Sequence, residues 1–171
     1  MIDPVPKSGR PKSYIIWAAI WYNGRTDLIF INRRGIRGGY TSESYMEALE
    51  EGLVPSYEPG IPFQQDNAPI HTSEVTKTWF EEHGIWVIDW PPYSPDMAPI
   101  EHAWWELKKS VLIKYLEIGS IGQSEEAILR LKVIAQEVWH EIPQDFFRAL
   151  IDSMPRRLQA VREAEGWHTR Y

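Results

Sequence analysis

Residues 90–99 read WPPYSPDMAP, and four prolines in ten residues exclude both helix and sheet ladder, because each proline lacks an amide donor and has a fixed φ. Whatever lies on either side must be joined through this rigid, irregular path. Ahead of it, Ile85–Ile88 (IWVI) is a short apolar run suited to a buried strand. Behind it, Ile100, Trp104, Leu107 and Val111 recur at steps of four, three and four, the period of a helix with one apolar face. The proline segment therefore carries a strand end to a helix start.

The rest of the chain follows the same alternation. Ser13–Tyr22 (SYIIWAAIWY) is nearly continuous apolar sequence, suited to a strand buried on both faces. Asn23-Gly24 predicts a hairpin turn, since both residues tolerate positive φ, and Leu28–Ile31 returns as the second strand. Gly35, Gly38 and Gly39 mark a loop, after which Thr41 or Ser42 caps a helix running to about Leu53. Ile61–Gln65 reads as a short strand that delivers Asp66 at its tip. Thr72 or Ser73 caps the next helix, with Val75, Trp79 and Phe80 on one side and Gly84 as its stop. Two further helical stretches span about 124–140 and 144–164. Alternating strands and helices make the fold α/β. Residues 1–12, with three prolines and three basic residues, read as an extended basic arm ahead of one domain from 13 to 171.

Composition narrows the class. Hydrophobic residues at 43%, with nine Trp among 171 residues, exclude a disordered or collagen-like chain. Without cysteine, a disulfide scaffold and a Cys-ligated zinc site are excluded. The first residues carry no apolar leader, and no run approaches the ~18 apolar residues of a membrane span, so neither a targeting signal nor a membrane partner is expected. The net charge of −6 argues against a stand-alone domain that grips DNA through a broadly basic surface. That charge is unevenly spread: residues 1–40 carry +5, while 41–60 and 61–118 carry −5 each. Such blocks are either solvated faces or a nucleic-acid contact beside an acidic, metal-binding centre.

Two acids stand out by context. Asp66 ends a strand in QQDNAPIH, and Glu101 sits in the first turn of a helix, with 34 residues between them. A helix, a strand and the proline loop fill that interval, so both carboxylates can reach one spot. Carboxylates brought together repel unless a hard divalent cation sits between them. Two bound ions ~3.5–4 Å apart would activate a water or 3′-hydroxyl and stabilise the leaving oxygen of a phosphoryl transfer.

The residues QDNAPIHTS, WPPYSPDMAPIEHAWWELK and SMPRRLQAVREAEG resemble the catalytic domain of mariner-superfamily (Tc/mariner) transposases, in the family's order and with its 34-residue interval. The resemblance runs from about Ser13 to the C-terminus. It implies a ribonuclease H-like mixed sheet flanked by helices, and an Asp–Asp–Glu triad in which Asp66 matches the second Asp and Glu101 the final acid. It further implies two Mg²⁺ or Mn²⁺ ions, DNA (transposon ends and target) as partner, room for a homodimer, and the nucleus, otherwise the cytoplasm, as location. Ala98 departs from the family's usual Asn, at a cost of roughly 1 kcal/mol if the position is a helix N-cap. The family's first Asp lies on the first, central strand, upstream of the hairpin that begins here at Ser13. The expectation is therefore a catalytic-domain portion lacking that strand and inactive by itself, with a non-catalytic nucleic-acid- or protein-binding remnant as the alternative. Asp3 and Asp27 are weak substitutes for the missing acid: Asp3 precedes Pro4 outside any apolar strand, and Asp27 also reads as a solvent-facing turn residue.

Several other side chains carry two readings. His71 and His102 flank the acids and either contact phosphate, orient a carboxylate or bond locally. A zinc site from His71, His83 and His102 lacks ligand spacing. Asn67 either supports Asp66 or serves a turn. Trp90 and Trp104-Trp105 suit base stacking, although Trp104 falls on the apolar face. Trp105, Lys108 and Lys109 are weak nucleic-acid-binding candidates, sharing the outer helix face with Glu101 or adjoining it. Arg156, Arg157 and Arg162 suit either phosphate contact or surface salt bridging.

Overall fold

The structure, a computed structural model, describes residues 14–35, 39–92, 94–118 and 125–165; the basic arm, with Asp3, lies outside them. The first apolar run forms two short strands rather than one. β1 (Ile16–Trp17) pairs antiparallel with β4 (Ile29–Phe30), and β2 (Ile20–Trp21) pairs with β3 (Gly24–Arg25). Registers Trp17↔Ile29 and Ile20↔Arg25 leave Ala18 and Ala19 opposite Thr26, Asp27 and Leu28. That extra residue is a bulge, and it interrupts the expected continuous strand. Thr26 spans the break: its Oγ1 accepts from the Ala19 amide at 3.0 Å, and its own amide donates to the Ala19 carbonyl at 2.9 Å.

The hairpin turn is also a correction. Tyr22 and Asn23 form the loop and Gly24 lies in β3 opposite Trp21, while positive φ among the described residues occurs at Gly60, Gly84 and Glu165. Glycine is needed at 24 for space, because a Cβ there would stand 2.5 Å from the Trp21 indole.

Thr41 caps α1 (Ser42–Ala48) through a reciprocal box with Ser44, its Oγ1 accepting from the Ser44 amide and its amide donating to the Ser44 Oγ. A wider π turn continues the helix through Leu49–Leu53, as far as the sequence predicts. α2 (Pro69–Thr72) and α3 (Glu74–Glu82) follow, with Ser73 capping α3 and Gly84 ending it at φ +61°. Thr76, Trp79 and Phe80 form the buried stripe of α3, whereas Val75, expected on it, is exposed. The strands expected at 61–65 and 85–88 reduce to one parallel bridge, Phe63↔Val87. Pro62 cannot donate to a ladder, and Pro91 and Pro92 follow the second segment closely. An apolar cleft of about 90 Å³ separates β2 from Phe63, lined among others by Ile20, Trp21, Tyr57 and Ile61.

α4 (Pro99–Ile118), α5 (Glu125–Glu141), α6 (Gln144–Asp152) and α7 (Met154–Glu163) complete the described fold. The expected helix 144–164 breaks at Ser153. Pro155, in the first turn of α7, has no amide for the carbonyl of Ile151, and its ring would clash with that carbonyl in a continuous helix.

The hairpin divides two cores because neighbouring residues in a strand face opposite ways. Trp17 and Ile29 pack with Tyr45, Leu49, Trp79 and Phe80 on one face. Ala18 and Leu28 pack with Ala103, Leu107, Val138, Trp139 and Phe147 on the other, where Ile100, Trp104 and Val111 also lean as their spacing predicts. Trp139 is wholly buried between Trp104 and Phe147, and its indole donates to the Thr26 carbonyl at 2.7 Å. The result is a small β layer between helical layers.

Candidate functional site

Asp66 follows the Phe63 bridge by three residues and stands exposed at the tip of that segment. Its Oδ1 accepts from the Ala68 amide at 3.1 Å, which closes a tight turn. Pro69 then starts α2, whose single turn brings His71 back over the acid. An ionised carboxylate can only accept, so His71 Nδ1–H donates to Asp66 Oδ1, at 2.6 Å. The imidazole packs against Tyr45, ring centres 4.2 Å apart, and Tyr45 is wholly buried. Burial, with a smaller contribution from Asp66, pushes the Tyr45 phenol far above its ordinary value, so it stays protonated and donates to Gln65 Oε1. Asp66 is thus braced through its Oδ1, while its side chain stays largely exposed.

Asn67 ties this tip to the proline loop. Its Nδ2 donates to the Trp90 carbonyl at 2.7 Å, so the residue beside Asp66 holds the first residue of the loop. At the far end the chain makes a 3-10 turn at Pro95–Met97, and Met97 and Ala98 are buried. Ala98, only 7% exposed, immediately precedes α4. Glu101 follows in the first turn of α4, where its charge is favoured by the helix N-terminus; it is exposed.

Arg157 corrects the expectation of a surface or phosphate-contacting arginine. It is 2% exposed. From α7 its Nε donates to Ser153 Oγ at 2.7 Å, its Nη1 to the Asp96 carbonyl at 2.7 Å and its Nη2 to His102 Nδ1 at 3.2 Å. Arginine can only donate, so His102 Nδ1 is the acceptor and that ring is neutral. Burial and the Arg157 charge hold the His102 pKa below the ordinary value, with Glu101 opposing more weakly. Arg156 and Arg162 are exposed. A signal for the buried one exists in retrospect: Leu150, Ser153 and Arg157 recur at steps of three and four and are all buried.

The remaining candidates separate. Trp105 is exposed on α4, Lys109 Nζ lies 5.2 Å from its ring centre and 3.3 Å from Glu106, and Lys108 is exposed beside them. Trp104 stacks on Trp139 instead. His83 stacks on Trp79 and pairs with Glu50 at 3.1 Å, so the three histidines occupy three separate environments. Asp27 pairs with His140 of α5 at 3.1 Å, as a turn residue can. Among the described residues no three His, Asp or Glu side chains form a group able to hold a metal ion. Asp66 and Glu101 are both exposed carboxylates, one beside the start of the loop that Asn67 ties and the other in the helix that follows its end.

The chain is similar to known proteins in both sequence and fold. Residues 5–118 match the DDE superfamily endonuclease family. The Tc1 transposase of Caenorhabditis elegans is 42% identical over 112 residues, which is 66% of this chain and 38% of that protein. The Tcb2 transposase of Caenorhabditis briggsae is 38% identical over 64% of this chain and 37% of its own length. The chain thus spans well under half the length of these relatives. The crystal structure of the Mos1 mariner transposase catalytic domain superposes with a TM-score of 0.67 and 18% identity, covering 94% of this chain and 78% of that one. A second structure, the Mos1 catalytic domain with raltegravir and Mg, has a TM-score of 0.58 and 18% identity over 91% of this chain and 83% of that one.

The layered architecture is therefore that of a ribonuclease H-like α/β domain. The chain belongs to the DDE superfamily endonuclease family, as a catalytic-domain portion of the Tc/mariner transposase type.

Proposed function

We propose that this chain supplies two metal-ligating acids, Asp66 and Glu101, to a site for divalent-metal-dependent cleavage and transfer of DNA strands. The observation that carries the reading is the proline loop: Asn67 fixes its start beside Asp66, and it ends at the helix that bears Glu101. The Mg named with the Mos1 catalytic domain supports the choice of a divalent ion. When bound, such ions activate a water or 3′-hydroxyl and stabilise the leaving oxygen. The chain's own residues do the rest. His71 holds one Asp66 oxygen, and Asp66 would ligate the ion together with Glu101, whose carboxylate stands at a helix N-terminus; Trp105, Lys108 and Lys109 present a stacking ring and positive charge to a DNA strand. DNA as the substrate implies action in the nucleus. Two carboxylates hold divalent ions weakly, and the isolated chain is expected to turn over negligibly.

The test is nicking of supercoiled plasmid in Mn²⁺ by the chain and by its Asp66→Ala and Glu101→Ala variants. No nicking by any of them is expected. Nicking by the parent that both variants lose would place a working site in this chain and refute its inactivity; nicking that neither variant loses would remove the two acids from the chemistry. A second reading, a non-catalytic binding module, is supported by the apolar cleft between β2 and Phe63, whose volume of about 90 Å³ suits a single apolar side chain of a partner.

A further inference from the structure

Arg157 is a buried cation whose donors leave its own helix. One reaches the carbonyl of Asp96, inside the turn that leads into α4, and another reaches His102, the neighbour of Glu101. A third holds Ser153, at the α6–α7 junction. The residue lies beyond the 5–118 segment matched by the family, yet it bonds to the loop that sets the second acid. Burying a guanidinium is costly and is offset only by well-made bonds to its whole fork, which a lysine ammonium cannot reproduce.

We propose that Arg157 is a positioning residue: it fixes the Pro95–Met97 turn and the first turn of α4, and through them the place of Glu101. The proposal rests on the metal-binding reading of Asp66 and Glu101. Without the guanidinium, the Asp96 carbonyl and His102 Nδ1 lose a donor in a partly buried setting, and the turn relaxes. The amides that report this are those of Met97, Ala98 and Glu101, which bond to Ser94, Pro95 and Ala98. Reference amides are Phe63 and Ile88, which bond across the parallel bridge.

The experiment compares the whole chain with Arg157→Lys, Arg157→Gln and Arg156→Gln, the last an exposed neighbour. Amide hydrogen exchange reads the turn, and Mn²⁺ affinity by water-proton relaxation reads the site. In Arg157→Lys, which keeps the charge and guards against wholesale unfolding, exchange at Met97, Ala98 and Glu101 should rise about tenfold while Phe63 and Ile88 keep their rates. Mn²⁺ affinity should fall by about tenfold, the usual loss when a residue supporting a ligand is removed. Arg156→Gln should change neither. Unaltered exchange at the turn would overturn the proposal, and so would faster exchange with unaltered Mn²⁺ affinity. Glu101→Gln separates the two levels: if it leaves Mn²⁺ affinity intact, the metal reading falls, whereas a loss with Glu101→Gln but not with Arg157→Lys overturns the Arg157 assignment alone.

Discussion

Gly52 lies where the π turn crosses the hairpin, and a Cβ there would come within 2.5 Å of Ile29 Cδ1 and the Trp17 ring. Gly52→Ala must push apart two buried side chains, and it should cost about 1–3 kcal/mol in a denaturant melt; a neutral result would show that the π turn can lift off the sheet. His102 gives a pH signature. Its folded pKa is held below the ordinary value by burial and Arg157, so the unfolded chain binds more protons in the window beneath about pH 6.5. The stability it contributes is complete above that pH and is lost as pH falls toward the folded value. Between pH 7 and 5 the melting temperature of the parent should therefore drop more than that of His102→Gln, and parallel profiles would contradict the burial of a neutral ring. At this scale the positions of the two acids were legible from their context, Asp66 exposed just after the Phe63 bridge and Glu101 in the first turn of α4. Arg157 was not, because a charged residue is ordinarily on the surface and its acceptors lie 55 and 61 residues away in sequence.

Helix starts were readable because their cause is local. Thr41 and Ser73 each satisfy amides within three residues, and the sequence offers those hydroxyls at the right spacing. Ser73→Ala should destabilise α3 by about 1 kcal/mol, measured by thermal unfolding, since its Oγ also meets Ser42 and Thr76. A loss no larger than that of Thr78→Ala, on the exposed face of the same helix, would deny the cap its role. Strands were less readable because pairing depends on a partner elsewhere. The bulge opposite Ala18–Ala19 arises from the register of the returning strand, which no pattern within Ser13–Tyr22 records. The break at Ser153 was within reach, since Pro155 forbids a helix running through it.

At the scale of the whole molecule, the hairpin and its two cores hold the helical layers, and the proline loop runs between the two acid-bearing segments. Asp66 and Glu101 are proposed to serve one metal site, and a double-mutant cycle on Mn²⁺ affinity reads whether they do. Asp66→Asn, Glu101→Gln and the double variant are each titrated with Mn²⁺ at constant salt, with melting temperatures confirming that all are folded. If the two acids share a site, each single change should remove most of the binding and the double change should add little, because ligands of one site are not independent. Effects that sum, or affinities that neither change alters, would place the two carboxylates in separate settings and contradict the account.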